Sequence, residues 1–134
     1  MSSNPKSIIC DLVCSVLAVN LWTIDRTYSL HTELEKESLF DMNSVANMTH
    51  QEIFARLMNA GYSRGDYITG LLADRLMNLA KALSGQGLSR LCSLLEQRNI
   101  KEMDAWLLNI KGIGPYVLEN FKILQGLDKV AITD

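Results

Sequence analysis

The chain has 134 residues, of which 48% are hydrophobic and 21% are charged, as in an ordinary single globular domain. Its 13 Lys and Arg residues against 15 Asp and Glu residues give a formal net charge of −2, which argues against a strongly salt-driven, sequence-blind nucleic-acid binder. Basic residues slightly outnumber acidic ones only in residues 68–134, so a DNA-binding surface would be local and would lie in this second half.

The numbers and positions of the cysteines and histidines limit which cellular compartment and which metal sites are expected. The three cysteines, Cys10, Cys14 and Cys92, form no disulfide framework and cannot supply the four ligands of an iron–sulfur cluster. Cys10 and Cys14 share a face of an apolar helix and are interpreted as small core residues. His31 and His50 lie too far apart in sequence for a zinc motif. We expect a reducing, intracellular setting, with no membrane span and no signal peptide.

The first third of the chain is predicted to be mostly helical. Asn4 is a good N-cap, and Pro5 after it fits the first helical position. The helix that follows carries an apolar stripe over 8–21. A second helix is expected over 25–36. Residues 38–48 fit either a loop or one short turn.

The middle of the chain carries clear helix boundaries. Thr49-His-Gln-Glu52 is a capping box, which predicts a helix that ends at Gly61. The apolar stripe over 68–83 predicts a long amphipathic helix, and Gly85-Gln-Gly87 is expected to break it. Another helix is predicted over 88–97.

The last third contains two predicted helices joined by a glycine-rich turn. The first helix begins at Asn99 and runs to Ile110. The second begins with Pro115 at its first position and is expected to bury Leu118, Phe121 and Leu124. A short extended segment follows over 130–132. With no internal linker or repeat, the whole chain is predicted to be one all-α domain.

The turn Lys111-Gly-Ile-Gly-Pro115 is the most informative stretch. Two glycines around one apolar residue permit a tight turn and leave no side chain in the way. The turn leads into a helix N-terminus, where free N–H groups and the helix dipole attract an anion. Ile113 would anchor the turn in the core and Lys111 would add positive charge, which predicts a site for one DNA backbone phosphate. The alternative is a plain αα-hairpin whose glycines only end one helix and permit the turn.

The segment Ile110-Lys-Gly-Ile-Gly-Pro-Tyr116 resembles the hairpin of the helix-hairpin-helix DNA glycosylase superfamily, which includes the endonuclease III, adenine glycosylase and alkylpurine glycosylase branches. Val130-Ala-Ile-Thr-Asp134 resembles the apolar run into that family's catalytic Asp, at the family's distance from the hairpin. Residues 16–25 and 59–64 resemble, more weakly, the first barrel helix and a later turn. The resemblance implies a six-helix-barrel-like bundle that contains a helix-hairpin-helix motif.

By this resemblance, the chain would be a DNA repair N-glycosylase that flips a damaged or mismatched base out of the duplex and excises it. Asp134 would be the catalytic carboxylate that stabilises the oxocarbenium-like sugar and orients water. Tyr116 would line the base pocket, and it replaces the lysine with which bifunctional members form a Schiff base, so no lyase step is expected. The resemblance assigns DNA binding to Lys111, Gly112, Ile113, Gly114 and Asn20.

The resemblance covers the barrel core only. Residues 1–134 would lack the second subdomain that follows the catalytic Asp in the family, and a missing C-terminal segment or a partner protein would cover the open face. The expected partner is double-stranded DNA. No cofactor and no iron–sulfur cluster is expected, although the family resemblance allows a monovalent cation at the hairpin. The alternative function is a non-catalytic helix-hairpin-helix module that binds DNA or a partner protein.

Overall fold

The computed structural model describes residues 5–19 and 22–127, and within these residues the chain forms nine α-helices. They are α1 (Pro5–Leu17), α2 (Ile24–Tyr28), α3 (His31–Lys36), α4 (Met42–Ala46), α5 (His50–Asn59), α6 (Asp66–Leu83), α7 (Gly87–Glu96), α8 (Ile100–Leu108) and α9 (Pro115–Leu124). The prediction of an all-α bundle is confirmed. None of these helices combines the length and the apolarity that crossing a membrane requires.

Several helix starts follow the local signals in the sequence. Thr49 and Glu52 form the reciprocal capping box at the start of α5. The side chain of Asn99 accepts a hydrogen bond from the backbone N–H of Glu102 at the start of α8. Pro115 occupies the first position of α9. These predictions are confirmed. They could be made from the sequence because each signal acts within a single helical turn.

The predicted helix over 25–36 is wrong, since the structure divides it into α2 and α3. The N–H of Leu30 donates to the carbonyl of Thr27 at 3.0 Å, an i to i−3 bond that tightens the backbone and ends α2. Thr27 and Leu34 are both buried. The segment over 38–48 contains the short helix α4.

Two smaller expectations also change. The break after α6 covers residues 84–86, and Gly87 begins α7. Glycine is needed at position 87 because a Cβ there would lie 1.9 Å from the carbonyl oxygen of Ala82. On α9, Val117 is buried with Leu118 and Phe121, while Leu124 is only half-buried.

Helix α6 lies at the centre of the bundle. It packs against α4, α5, α1 and α7, and its residues Leu72, Leu76 and Leu79 are fully buried. Helix α9 lies along α1, and α8 connects α7 to α9. The turn between α8 and α9 lies beside α6. The contact between this turn and α6 forms the candidate site.

Candidate nucleic-acid interface

The turn between α8 and α9 is held from within. The N–H of Ile110 donates to Leu107 O, and the N–H of Ile113 donates to Ile110 O, both at 3.0 Å. The side chain of Ile113 is only 5% exposed, so it packs into the core as the sequence predicted. We call residues 112–114 the Gly112–Gly114 turn. Its backbone is fixed by these contacts.

Gly112 is required by the fold for two independent reasons. Its φ is +104°, in the region that favours glycine. A Cβ on Gly112 would also lie 2.9 Å from Cγ and 3.1 Å from Cβ of Arg75, which belongs to α6. The turn can therefore sit this close to α6 only without a side chain at position 112.

Gly114 differs from Gly112 in both respects. Its φ of −102° and ψ of −176° are extended values that any residue adopts, and it is the N-cap of α9. A Cβ on Gly114 would find no heavy atom within 4 Å among the described residues, its own chain neighbours aside. Gly114 also supplies no side chain to cap α9. The first N–H groups of α9 have no acceptor within the helix.

Gly114 borders a concavity of about 360 Å³, which we call the Gly114 concavity. Its lining residues come from three separate parts of the chain and are Val19, Arg75, Gly112, Ile113, Gly114, Tyr116 and Val117. The Tyr116 side chain is 59% exposed, so its ring is free to stack against another planar group. Arg75 is the one charged side chain in this lining.

A second concavity of about 470 Å³ shares Arg75 and Gly112 with the first, and we call it the Lys111 concavity. It is lined by Leu71, Asp74, Arg75, Asn78, Lys111 and Gly112. Lys111 thus shares its surroundings with the carboxylate of Asp74, which also lies 3.6 Å from Nε2 of His50. The lysine that the sequence assigned to the phosphate site lines a different concavity from Gly114.

The segment after α1 is fixed beside the Gly114 concavity by Arg64. Nη1 of Arg64 donates to the carbonyl of Val19 at 2.8 Å and to the hydroxyl of Tyr62 at 3.2 Å. The Tyr62 hydroxyl in turn donates to Leu17 O at 2.7 Å. Burial raises the pKa of Tyr62, while the nearby charges of Arg64 and Arg75 act to lower it. These contacts hold Val19 against the concavity.

No protein-family model, curated protein or solved structure matches this chain. The helix-hairpin-helix assignment and the family resemblance therefore stay predictions that depend on the residues at 110–116 and 130–134. The structure adds the geometry around residues 110–116.

The predicted site residues are only partly brought together. Gly112, Ile113, Gly114 and Tyr116 line one concavity, whereas Lys111 lines the neighbouring one. Asn20 and Asp134 lie outside the described residues. Val19, the residue before Asn20, does line the Gly114 concavity.

The sequence did not single out Arg75 or Arg64. Arg75 has Leu71 and Leu79 one turn away on either side, so it stands at the edge of the buried stripe of α6. A charged residue at the edge of a buried stripe was the signal that could have identified Arg75 as a candidate site residue. Arg64 gave a weaker signal, since it stands in a turn where basic residues are common.

The described residues offer few features that would bind a metal ion or a partner protein. The described ranges, 5–19 and 22–127, contain no group of three or more His, Cys, Asp or Glu side chains that could hold a metal ion. A monovalent cation at the hairpin stays a prediction. The carbonyl of Ile110, next to the turn, already accepts a hydrogen bond from the N–H of Ile113.

Tyr116 and Ile123 are exposed and lie seven residues apart on α9, so they share a face that a partner protein would meet.

Proposed function

We propose that this chain binds duplex DNA through the Gly112–Gly114 turn and that it excises a damaged or mismatched base as a monofunctional N-glycosylase. One observation carries the proposal. Gly114 has an extended backbone and, chain neighbours aside, no heavy atom of the described residues within 4 Å of an added Cβ, so the described part of the fold gives no reason for glycine there. A phosphate that must approach the backbone closely gives such a reason.

The phosphate would bind at the start of α9. The N–H groups of Tyr116 and Val117 belong to the first turn, where a helix has no internal acceptors, and the helix dipole there favours an anion. Backbone donors of this kind recognise the phosphate and not the base, so they give affinity with little sequence preference. This agrees with a chain whose overall charge is slightly negative.

The excision step rests on the resemblance and on Tyr116. A base can be removed only after it leaves the stack, and the exposed ring of Tyr116 stands beside the turn where it could stack on that base. Asp134 would stabilise the positive charge that develops on the sugar and would orient the attacking water. Tyr116 carries no amine, so the reaction would stop at an abasic site without a Schiff base.

Two assays on the full chain test the proposal. Fluorescence anisotropy with a labelled duplex measures binding, and we expect Gly114→Val to weaken it at least tenfold. The matched control is Ala55→Val, which introduces the same valine side chain at an exposed position of α5. Equal binding by the Gly114→Val and Ala55→Val variants, with both folded, would remove the turn from the DNA interface.

The second assay measures excision. Duplexes with alkylated, deaminated or oxidised bases are incubated with the chain and then treated with alkali, which breaks the strand at each abasic site. We expect strand breaks with at least one lesion, and their loss in Asp134→Asn. Tight binding without breaks on any substrate would leave the non-catalytic DNA-binding module. A covalent adduct trapped by borohydride would contradict the monofunctional assignment.

A further inference from the structure

Arg75 lies directly beneath the Gly112–Gly114 turn. Its Cβ and Cγ occupy the space in front of Gly112, so its aliphatic part supports the turn. The side chain is half-buried, and it makes no ion pair or hydrogen bond within residues 5–19 and 22–127. The other half-buried arginines near the core, Arg56 and Arg64, both donate to main-chain carbonyls. Of these three, Arg75 alone has no hydrogen-bond acceptor in the part of the chain that the structure describes.

The position of this guanidinium differs from that of Lys111. Among the described residues, Arg75 is the one charged side chain in the lining of the Gly114 concavity. Lys111 is exposed and lines only the Lys111 concavity, together with Asp74 and Arg75, whereas Arg75 lines both concavities. An exposed lysine is also more strongly screened by salt than a half-buried arginine. Arginine offers several N–H donors in a planar fork that fits two phosphate oxygens.

We propose that Arg75 supplies the principal positive charge of the phosphate site at the Gly112–Gly114 turn, and that its ligand is a phosphodiester of the DNA backbone. The inference rests on the proposed function and deepens it. One phosphate would be held from two sides, by the backbone N–H groups at the start of α9 and by the guanidinium of α6. Because α6 is the central helix, this arrangement couples the phosphate to the rigid part of the bundle.

Charge-removing variants test this assignment. Arg75→Met keeps an aliphatic stem beneath Gly112 and removes the charge, and Arg75→Lys keeps the charge without the fork. Lys111→Met removes the charge that the sequence favoured. The matched control is Lys81→Met, on the same helix α6 and exposed to solvent. Thermal unfolding of each variant verifies that it remains folded.

Binding to a labelled duplex is measured for each variant from about 50 to 200 mM salt. For Arg75→Met we expect at least tenfold weaker binding and a salt slope smaller by about 0.9, which corresponds to one lost phosphate contact. Arg75→Lys should retain the slope with reduced affinity. Lys111→Met should lose less affinity than Arg75→Met, and Lys81→Met should bind as the parent chain does. The assignment is overturned if Arg75→Met binds like the parent, or if Lys111→Met loses more.

A second probe separates this inference from the proposed function. Inorganic phosphate is titrated into the ¹⁵N-labelled chain, and the amide signals of Gly114 and Tyr116 are followed by NMR. If the parent chain fails to bind duplex DNA but its Gly114 amide still shifts, and Arg75→Met loses that shift, the phosphate site stands and the DNA function fails. If the shift survives in Arg75→Met, Arg75 is not the phosphate ligand. If neither probe perturbs the parent chain, both proposals fail.

Discussion

Gly112 and Arg75 are packed so closely that a Cβ added to the glycine would lie 2.9 Å from Cγ of the arginine. The contact joins the turn between α8 and α9 to the central helix α6. Two residues away, Gly114 has no such neighbour among the described residues. Glycine is therefore needed at position 112 for packing against α6 but not at position 114. Because of this difference, substitutions at the two positions should affect stability and DNA binding differently.

Replacing Gly112 with Ala should destabilise the fold. The substitution combines the strain of a φ of +104° with overlap against Arg75, and together these should lower the free energy of unfolding by about 2–4 kcal/mol. Urea unfolding measures the loss. The matched control is Gly126→Ala, where φ is +76° but, chain neighbours aside, no heavy atom of the described residues lies within 4 Å of the added Cβ, so only the strain applies. Losses of equal size in the two variants would show that the contact with Arg75 contributes nothing.

Replacing Gly114 with Asp should move stability and binding in opposite directions. An Asp at the N-cap accepts hydrogen bonds from the first turn of α9 and interacts well with the helix dipole, so the free energy of unfolding should rise by a few tenths of a kcal/mol up to about 1 kcal/mol. The same carboxylate would occupy and repel the phosphate. DNA binding should fall at least tenfold in an anisotropy titration. A variant that is more stable and still binds normally would place the phosphate elsewhere.

Asp11 should be essential for the junction of three helices. It is buried in α1 and accepts hydrogen bonds from the hydroxyl of Tyr28 in α2 and from Nε2 of Gln125 after α9. Asp11→Ala would leave both donors without their acceptor and should lower the free energy of unfolding by about 2–4 kcal/mol. Asp11→Asn keeps one carbonyl oxygen and should lose clearly less. Chemical denaturation compares the two, and equal losses would mean that packing volume, and not hydrogen bonding, holds the junction.

Cys10 should be the most reactive of the three cysteines at neutral pH. Its pKa is lowered to about 7, first by a hydrogen bond from the Cys14 thiol, against the opposing effect of burial. Burial raises the pKa of Cys92. Because the thiolate is the reactive form, alkylation of Cys10 by iodoacetamide should rise as the pH passes through about 7, while Cys92 should need a higher pH. Peptide mass spectrometry follows both sites in one sample.

The Cys14 hydrogen bond can be tested separately. Cys14→Ala removes the donor, so the pH midpoint for alkylation of Cys10 should move upward, whereas Cys14→Ser retains a donor and should restore a midpoint near that of the parent chain. If all three chains share one midpoint, the hydrogen bond does not set the reactivity of Cys10. The sequence had assigned Cys10 and Cys14 alike to the core, but only Cys14 is buried and Cys10 is half-buried.

The helices and the turn could be predicted because their signals are local. The capping box at Thr49, Pro115 at the start of α9 and the glycines of the turn each act within about four residues, a distance that the sequence displays directly. The predicted helix over 25–36 was wrong because α2 ends at Tyr28, where the sequence has no glycine or proline to mark a break. Local propensity is weak enough for the tertiary structure to override it.

What only the tertiary structure decided is which side chains stand beside the turn. Arg75 and Val19 are far from Gly114 in sequence, and packing of α6 and the end of α1 against the turn brings both to its concavity. The same packing separates Lys111, a near neighbour of Gly114 in sequence, into the other concavity with Asp74. The sequence by itself determined that a helix begins after Gly114 and that no side chain covers this helix N-terminus. The reason is that the backbone conformation there depends on adjacent residues. The charge that faces it depends on long-range contacts, which no local pattern records.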